Sequence, residues 1–172
     1  MRSSREENVS EHTLETAYLA AALAEIGNAY FNREYDTAQI ALKAIFHDAP
    51  EVFTGDLPSP IKYRTDDLRE AYKQIERDSE EALLSKLPDE MRVSFRQILT
   101  IGHDSDEGKL IKAADKLSAY IKCVEERISG NRDFLEAERE LCASLGELNL
   151  PELKYFTDNF LPSFGLTIDE LK

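Results

Sequence analysis

Tryptophan is absent from this chain, histidine occurs three times and cysteine only twice. Cys123 and Cys142 lie in separate helix-like patterns without C-x-x-C spacing, which points to reduced core thiols rather than a disulfide or zinc ligands. No stretch reaches the ~18 consecutive apolar residues that a membrane span needs. The start, "MRSSREENVSEH", also lacks the apolar segment of a secretory signal, so the expectation is a soluble, cytoplasmic protein without a membrane partner. Positive charge is scarce as well: 21 Lys and Arg stand against 34 Asp and Glu, a net charge of −13. That field repels nucleic acid polymers and anionic membranes. It does not repel every small anion, because exposed charges are screened beyond roughly 8 Å and a local cation can reverse the potential. A nucleotide substrate therefore stays open where a polymer partner does not.

Clean two-residue alternation is missing too, and with it any strand signal. Apolar residues recur at three- and four-residue steps almost throughout, which predicts an all-α fold. At 172 residues and 42% hydrophobic, the chain suits one domain over residues 1–172. The pattern predicts a first helix capped by Ser10, with Leu14, Ala17, Tyr18, Ala21 and Ala22 inward, ending near Ile26 before "GN". A second starts behind Asp36 and Gln39 and runs to about Ala49, where Pro50 stops it. "EVFTGDLPSPIKYRT" is the least periodic stretch and reads as a long ordered loop, a place where function is often found.

Helical spacing resumes from Asp66 to Leu87, with Leu68, Tyr72, Ile75, Ala82 and Leu83 inward, and again behind Pro88 with Met91, Phe95, Ile98 and Leu99. The strongest stripe is Leu110, Ala113, Ala114, Leu117, Ile121, Val124 and Ile128, predicting a central helix over 105–128 with Gly130 as its stop. Asp133 and Glu136 suggest a cap for a helix through Leu145. Pro151 opens a last, aromatic-rich stretch, expected to be core.

His47 and Asp48 close the apolar run of the second helix. Taken alone, such a pair is more often a capping histidine beside a solvated aspartate than a metal site. His12 alone is an ordinary first-turn residue, and Asp115 lies on the shoulder of the central stripe near Ile111 and Ser118, where periodicity permits a ligand without requiring one. His103, in "IGHDSDEG", reads as a surface loop histidine.

Together, however, His12, His47-Asp48 and Asp115 resemble the H…HD…D metal signature of the HD-domain phosphohydrolases. More closely, "ENVSEH", "HDAPEVFTGDLPSPIKY", "IKAADKLSAYIKCVEE" and "LPSFGLTIDE" are similar to segments of the bacterial HD-domain 5'-deoxynucleotidases, a likeness that covers nearly the whole chain. The resemblance implies a single-domain helical bundle binding one divalent transition metal through His12, His47, Asp48 and Asp115, with water completing the shell. Mixed imidazole and carboxylate ligands suit manganese, cobalt, iron or zinc.

It also implies a phosphomonoesterase of deoxyribonucleoside 5'-monophosphates, commonly a homodimer. By residue-by-residue match Glu51 positions or deprotonates water, and Asp56 protonates the leaving oxygen or holds the sugar. Leu57, Pro58 and Ser59 line the substrate pocket, Arg5 reaches the phosphate, and His12, Asp48 and Asp115 border the substrate. Lys62, Arg64 and Lys116 are further basic candidates. The chain begins after the segment in which the family carries a phosphate-contacting Arg-Trp pair, so either it is truncated relative to the family or phosphate binding is organised differently. The rival expectations are hydrolysis of another small nucleotide or phosphoester, and a non-catalytic metal-binding or ligand-sensing protein.

Overall fold

The computed structural model describes residues 3–4, 8–55, 64–102, 104–166 and 169–170. Among them the regular structure is all helical. In chain order the helices are α1 (Val9–Tyr30), α2 (Thr37–Ile45), α3 (Glu51–Thr54), α4 (Asp66–Ser85), α5 (Asp89–Leu99), α6 (Asp106–Ile128), α7 (Leu135–Gly146) and α8 (Pro151–Asn159). Short 3-10 turns occupy Arg132–Phe134 and Leu161–Gly165. No helix of the described residues is long and apolar enough to cross a membrane. The chain divides into two compact units, one of Met1–Ile45 with Gly102–Lys172, the other of Phe46–Ile101.

In the first unit α1 packs against α2, α6 and α8, and α6 against α7. Asn8 caps α1, not Ser10. Its side chain accepts from the Glu11 amide at 3.1 Å, and the Glu11 carboxylate accepts from the Asn8 amide at 3.2 Å. This reciprocal box satisfies two donors that the helix start would otherwise leave open. The helix also runs past "GN" to Tyr30. Gly27 is a packing residue there: a Cβ would lie 2.6 Å from the Tyr35 ring.

The buried face of α1 is Thr16, Ala17, Leu19, Ala20, Leu23, Ala24, Ile26 and Gly27, while Leu14 and Tyr18 are exposed. The apolar stripe is thus rotated from its expected position, because alanines on both sides leave the inward face undecided by hydropathy. The α6 expectation holds, with Ser105 accepting from the Gly108 amide at 3.0 Å and Leu110, Ala113, Ala114, Leu117, Ile121 and Val124 buried. Ile128, at its last turn, is exposed.

Two buried carboxylates tie distant segments of this unit together. Glu152 accepts from Arg33 Nε at 3.1 Å and from the Tyr35 hydroxyl at 3.3 Å. Burial, reinforced by Glu152, pushes the Tyr35 hydroxyl up to about 12. Glu126 accepts from the Ser3 hydroxyl at 2.6 Å, the Ser4 amide at 2.9 Å and Asn131 Nδ2 at 2.7 Å. These donors hold its carboxyl down at about 2.

Three local expectations change. Asn131, not Asp133, caps the 3-10 turn from which α7 continues, accepting from the Asp133 amide at 3.2 Å. Cys123 is buried but Cys142 is exposed. Of the C-terminal aromatics Phe156 is core, whereas Phe160 and Phe164 keep exposed faces.

In the second unit α3 packs on α4 and α4 on α5. Thr65 caps α4 by accepting from the Leu68 amide at 3.2 Å. The α2 pattern ends at Ile45 and residues 46–50 form successive turns, with Ala49 N donating to Phe46 O at 3.0 Å and Glu51 N to Asp48 O at 2.9 Å. Pro50 therefore does not end a helix. It stands at the cap of α3 with φ −62°, an angle already suited to helix entry. Tyr72, Ser79, Leu84 and Leu99 are buried, while Leu68, Ile75 and Met91 are exposed. Ion pairs cover much of the surface, among them Glu81–Arg96, Glu70–Lys73 and Asp89–Arg92.

Candidate metal centre

His12 lies in the first turn of α1 and Asp115 near the middle of α6. The two helices pack against each other, and small residues on both, Ala17, Ala20 and Ala24 on α1 and Ala113 and Ala114 on α6, are buried. Small side chains permit a close helix approach, so a short carboxylate on one helix can meet an imidazole on the other. His12 Nε2 is 3.1 Å from Asp115 Oδ1. The far side of the ring is also engaged: Ser118 Oγ lies 3.4 Å from His12 Nδ1 and donates to Glu15 Oε2 at 3.2 Å.

The second unit contains a matching pair. His47 Nε2 is 3.0 Å from Asp48 Oδ1, and both side chains are largely buried, at 10% and 19% exposure. Neighbours on a regular α-helix point about 100° apart. The turn over residues 46–50 removes that constraint and lets the two side chains meet.

Each separation is that of adjacent ligand atoms around one ion. Metal–donor bonds of roughly 2.0–2.2 Å at right angles put neighbouring donors about 3 Å apart. Imidazole nitrogen with carboxylate oxygen is also the donor mixture that divalent transition metals accept. The residues present therefore fit such an ion.

Glu51 is the first residue of α3, not the start of a loop, and is partly buried three residues beyond Asp48. Asp56, Leu57, Pro58, Ser59, Arg5, Lys62 and His103 lie outside the described residues. Arg64 is exposed. The Lys116 ammonium donates to Ser144 Oγ on α7, and burial, with Lys112 nearby, lowers its proton affinity. Ser118 and Glu15 escaped the sequence reading as functional residues. Their signal was spacing: each stands three residues after an expected ligand, one helical turn along the same face.

The family model described as 5'-deoxynucleotidase YfbR-like matches residues 1–164. A 5'-deoxynucleotidase of Yersinia pestis strain Pestoides F is 46% identical over 172 residues, covering 99% of this chain and 87% of the relative. A 5'-deoxynucleotidase of Yersinia pseudotuberculosis serotype O:3 matches with the same identity and coverage. Among solved structures, an HD-domain phosphohydrolase from Listeria innocua superposes with a TM-score of 0.82 at 27% identity, covering 95% of this chain and 79% of that one. A protein from Pyrococcus horikoshii shares the fold at a TM-score of 0.64 and 22% identity, over 94% of this chain and 84% of that one. The HD fold, the His-Asp donors and the near-complete coverage agree: this chain belongs to the YfbR-like family of 5'-deoxynucleotidases, which are phosphoric monoester hydrolases.

Proposed function

We propose that this protein hydrolyses deoxyribonucleoside 5'-monophosphates to deoxyribonucleosides and phosphate, using one divalent transition metal held by His12, His47, Asp48 and Asp115. Family membership supports the reaction, and the observation that carries the metal assignment is the 3.1 Å approach of His12 Nε2 to Asp115 Oδ1 from two different helices. Manganese, cobalt, iron and zinc all suit this donor set. Bound there, such an ion supplies an acidified water and positive charge beside the phosphoryl oxygens.

The chain's own residues do the rest. Glu51 positions or deprotonates the attacking water, which approaches phosphorus in line with the departing 5' oxygen. Asp56 protonates that oxygen or holds the sugar, and Leu57, Pro58 and Ser59 line the nucleoside pocket. Arg5 offsets phosphate charge, while His12, Asp48 and Asp115 border the phosphoryl group. Electrostatic stabilisation by preorganised charges of this kind is commonly the largest catalytic contribution. We place the protein in the cytoplasm as a homodimer, the whole chain acting as one HD domain.

Phosphate release from a panel of deoxyribo- and ribonucleoside 5'-monophosphates with added Mn2+ or Co2+ tests the reading. Turnover should favour the deoxy series, and His47→Ala or Asp48→Ala should lower kcat/KM by on the order of 10³, the loss of about 4 kcal/mol of transition-state stabilisation. No release from any monophosphate, or full activity in both variants, overturns it.

A further inference from the structure

We infer that Ser118 and Glu15 form a relay that fixes the His12 imidazole with its proton on Nδ1 and its Nε2 lone pair turned toward Asp115. The inference rests on the metal reading above and deepens it. Three facts about the first unit carry it. The Ser118 hydroxyl donates to Glu15 Oε2 at 3.2 Å. Its oxygen lies 3.4 Å from His12 Nδ1. The opposite ring nitrogen, Nε2, is 3.1 Å from Asp115 Oδ1.

A hydroxyl has one proton to give, and a carboxylate can only accept. With that proton directed at Glu15, Ser118 presents only lone pairs to His12. Nδ1 must then be the donor, and in the neutral ring Nε2 is left with a lone pair. A lone pair facing a carboxylate oxygen at hydrogen-bond distance repels it unless a cation sits beside both. Glu15, through Ser118, thus orients His12 as a metal ligand. Ligating histidines depend on such outer partners for ring orientation and basicity.

The helices dictate the arrangement. Glu15 follows His12 by three residues on α1, and Ser118 follows Asp115 by three on α6. Each helix therefore supplies one ligand and one supporting group from the same face. Ser118 is buried at 1% exposure, so its hydroxyl is held by packing. Glu15 reaches it from the exposed side of α1. Ser118 and Glu15 are positioning residues, acting on the ion only through His12.

Titrating Mn2+ alone into the full chain and following affinity, not turnover, tests this. Ser118→Ala and Glu15→Ala should each weaken Mn2+ binding by about 10-fold, at the lower end of what loss of an outer partner costs. The double variant should bind no more weakly than Ser118→Ala, because the two act in series and their effects cannot add. Glu15 is exposed, so Glu15→Ala keeps the test alive should Ser118→Ala not fold.

Nitrogen-15 imidazole spectra of the Zn2+-loaded protein provide a second readout: the His12 Nδ1–H proton should be protected from solvent exchange in the wild type and exchange faster in Ser118→Ala. If His12→Ala abolishes Mn2+ binding while both relay variants bind like the wild type, or if their losses add, the relay is wrong and the metal reading stands. If the wild-type chain itself takes up no Mn2+, the metal reading fails and the relay with it.

Discussion

The two units of this protein are held together by different means. The first is built on helices whose inward faces are nearly continuous, with Ala20, Leu23, Ala24, Ile40, Leu110, Ala113, Ala114 and Leu117 all at 0% exposure. The second buries Tyr72, Ser79, Leu84 and Leu99 and covers α4 and α5 with exposed ion pairs. Buried apolar contact is worth kilocalories per side chain, whereas an exposed ion pair contributes little. The difference assigns the two His-Asp pairs to unlike surroundings. His12–Asp115 spans two helices of a close-packed frame, and His47–Asp48 sits in a turn of the more loosely packed unit.

The contrast can be broken most sharply by truncation. Leu117→Ala in α6 should destabilise by ~2–5 kcal/mol in urea denaturation, the range for emptying a fully packed leucine site. Ile75→Ala on exposed α4 should stay within about 0.5 kcal/mol. Equal losses at the two positions would erase the distinction between the units.

Gly27→Ala comes next, at ~1–3 kcal/mol, because the added Cβ would lie 2.6 Å from the Tyr35 ring, which must shift while its hydroxyl is bonded to Glu152. A change that Tyr35→Ala relieves would confirm that this contact is the cause.

A smaller effect is expected on acidification. The Glu126 carboxyl titrates at about 2 in the folded protein against an ordinary 4.5. Its contribution is complete above the ordinary value and is lost as pH falls from there through about 2. Glu126→Gln should flatten the dependence of the melting midpoint on pH across that window. A slope identical to that of the wild type would remove Glu126 as the anchor of Ser3 and Ser4. The smallest effect belongs to Arg96→Ala, whose exposed pairing with Glu81 should leave the melting midpoint almost unmoved. Any shift should vanish near 1 M salt, where screening acts within about 3 Å.

Much of this was legible in the residue pattern. The α6 helix over 105–128 and its stripe from Leu110 to Val124 were read correctly, although Ile128 at its end is exposed, because Leu, Ile and Val at helical spacing leave only one face to bury. The start and inward face of α1 were not. Ser10 is as good a cap as Asn8 in isolation, and Leu14 and Tyr18 look as apolar as the alanines that displaced them. His47 and Asp48 were recognisable as ligand types, but their turn was hidden inside a helical pattern that continued toward Pro50. Ser118 was seen only as a neighbour of Asp115, since a serine's role depends on which side chain lies across from it.

Composition and periodicity were sufficient for an all-α fold, and the resemblance of the four signature segments to the HD-domain family for a hydrolase, because those properties are carried by residue identity and spacing along one chain. The approach of His12 to Asp115 across two helices, and the direction of the Ser118 proton toward Glu15, depended on helix rotation and interaxial distance. Those are set by how the helices pack in three dimensions, and no one-dimensional pattern encodes them.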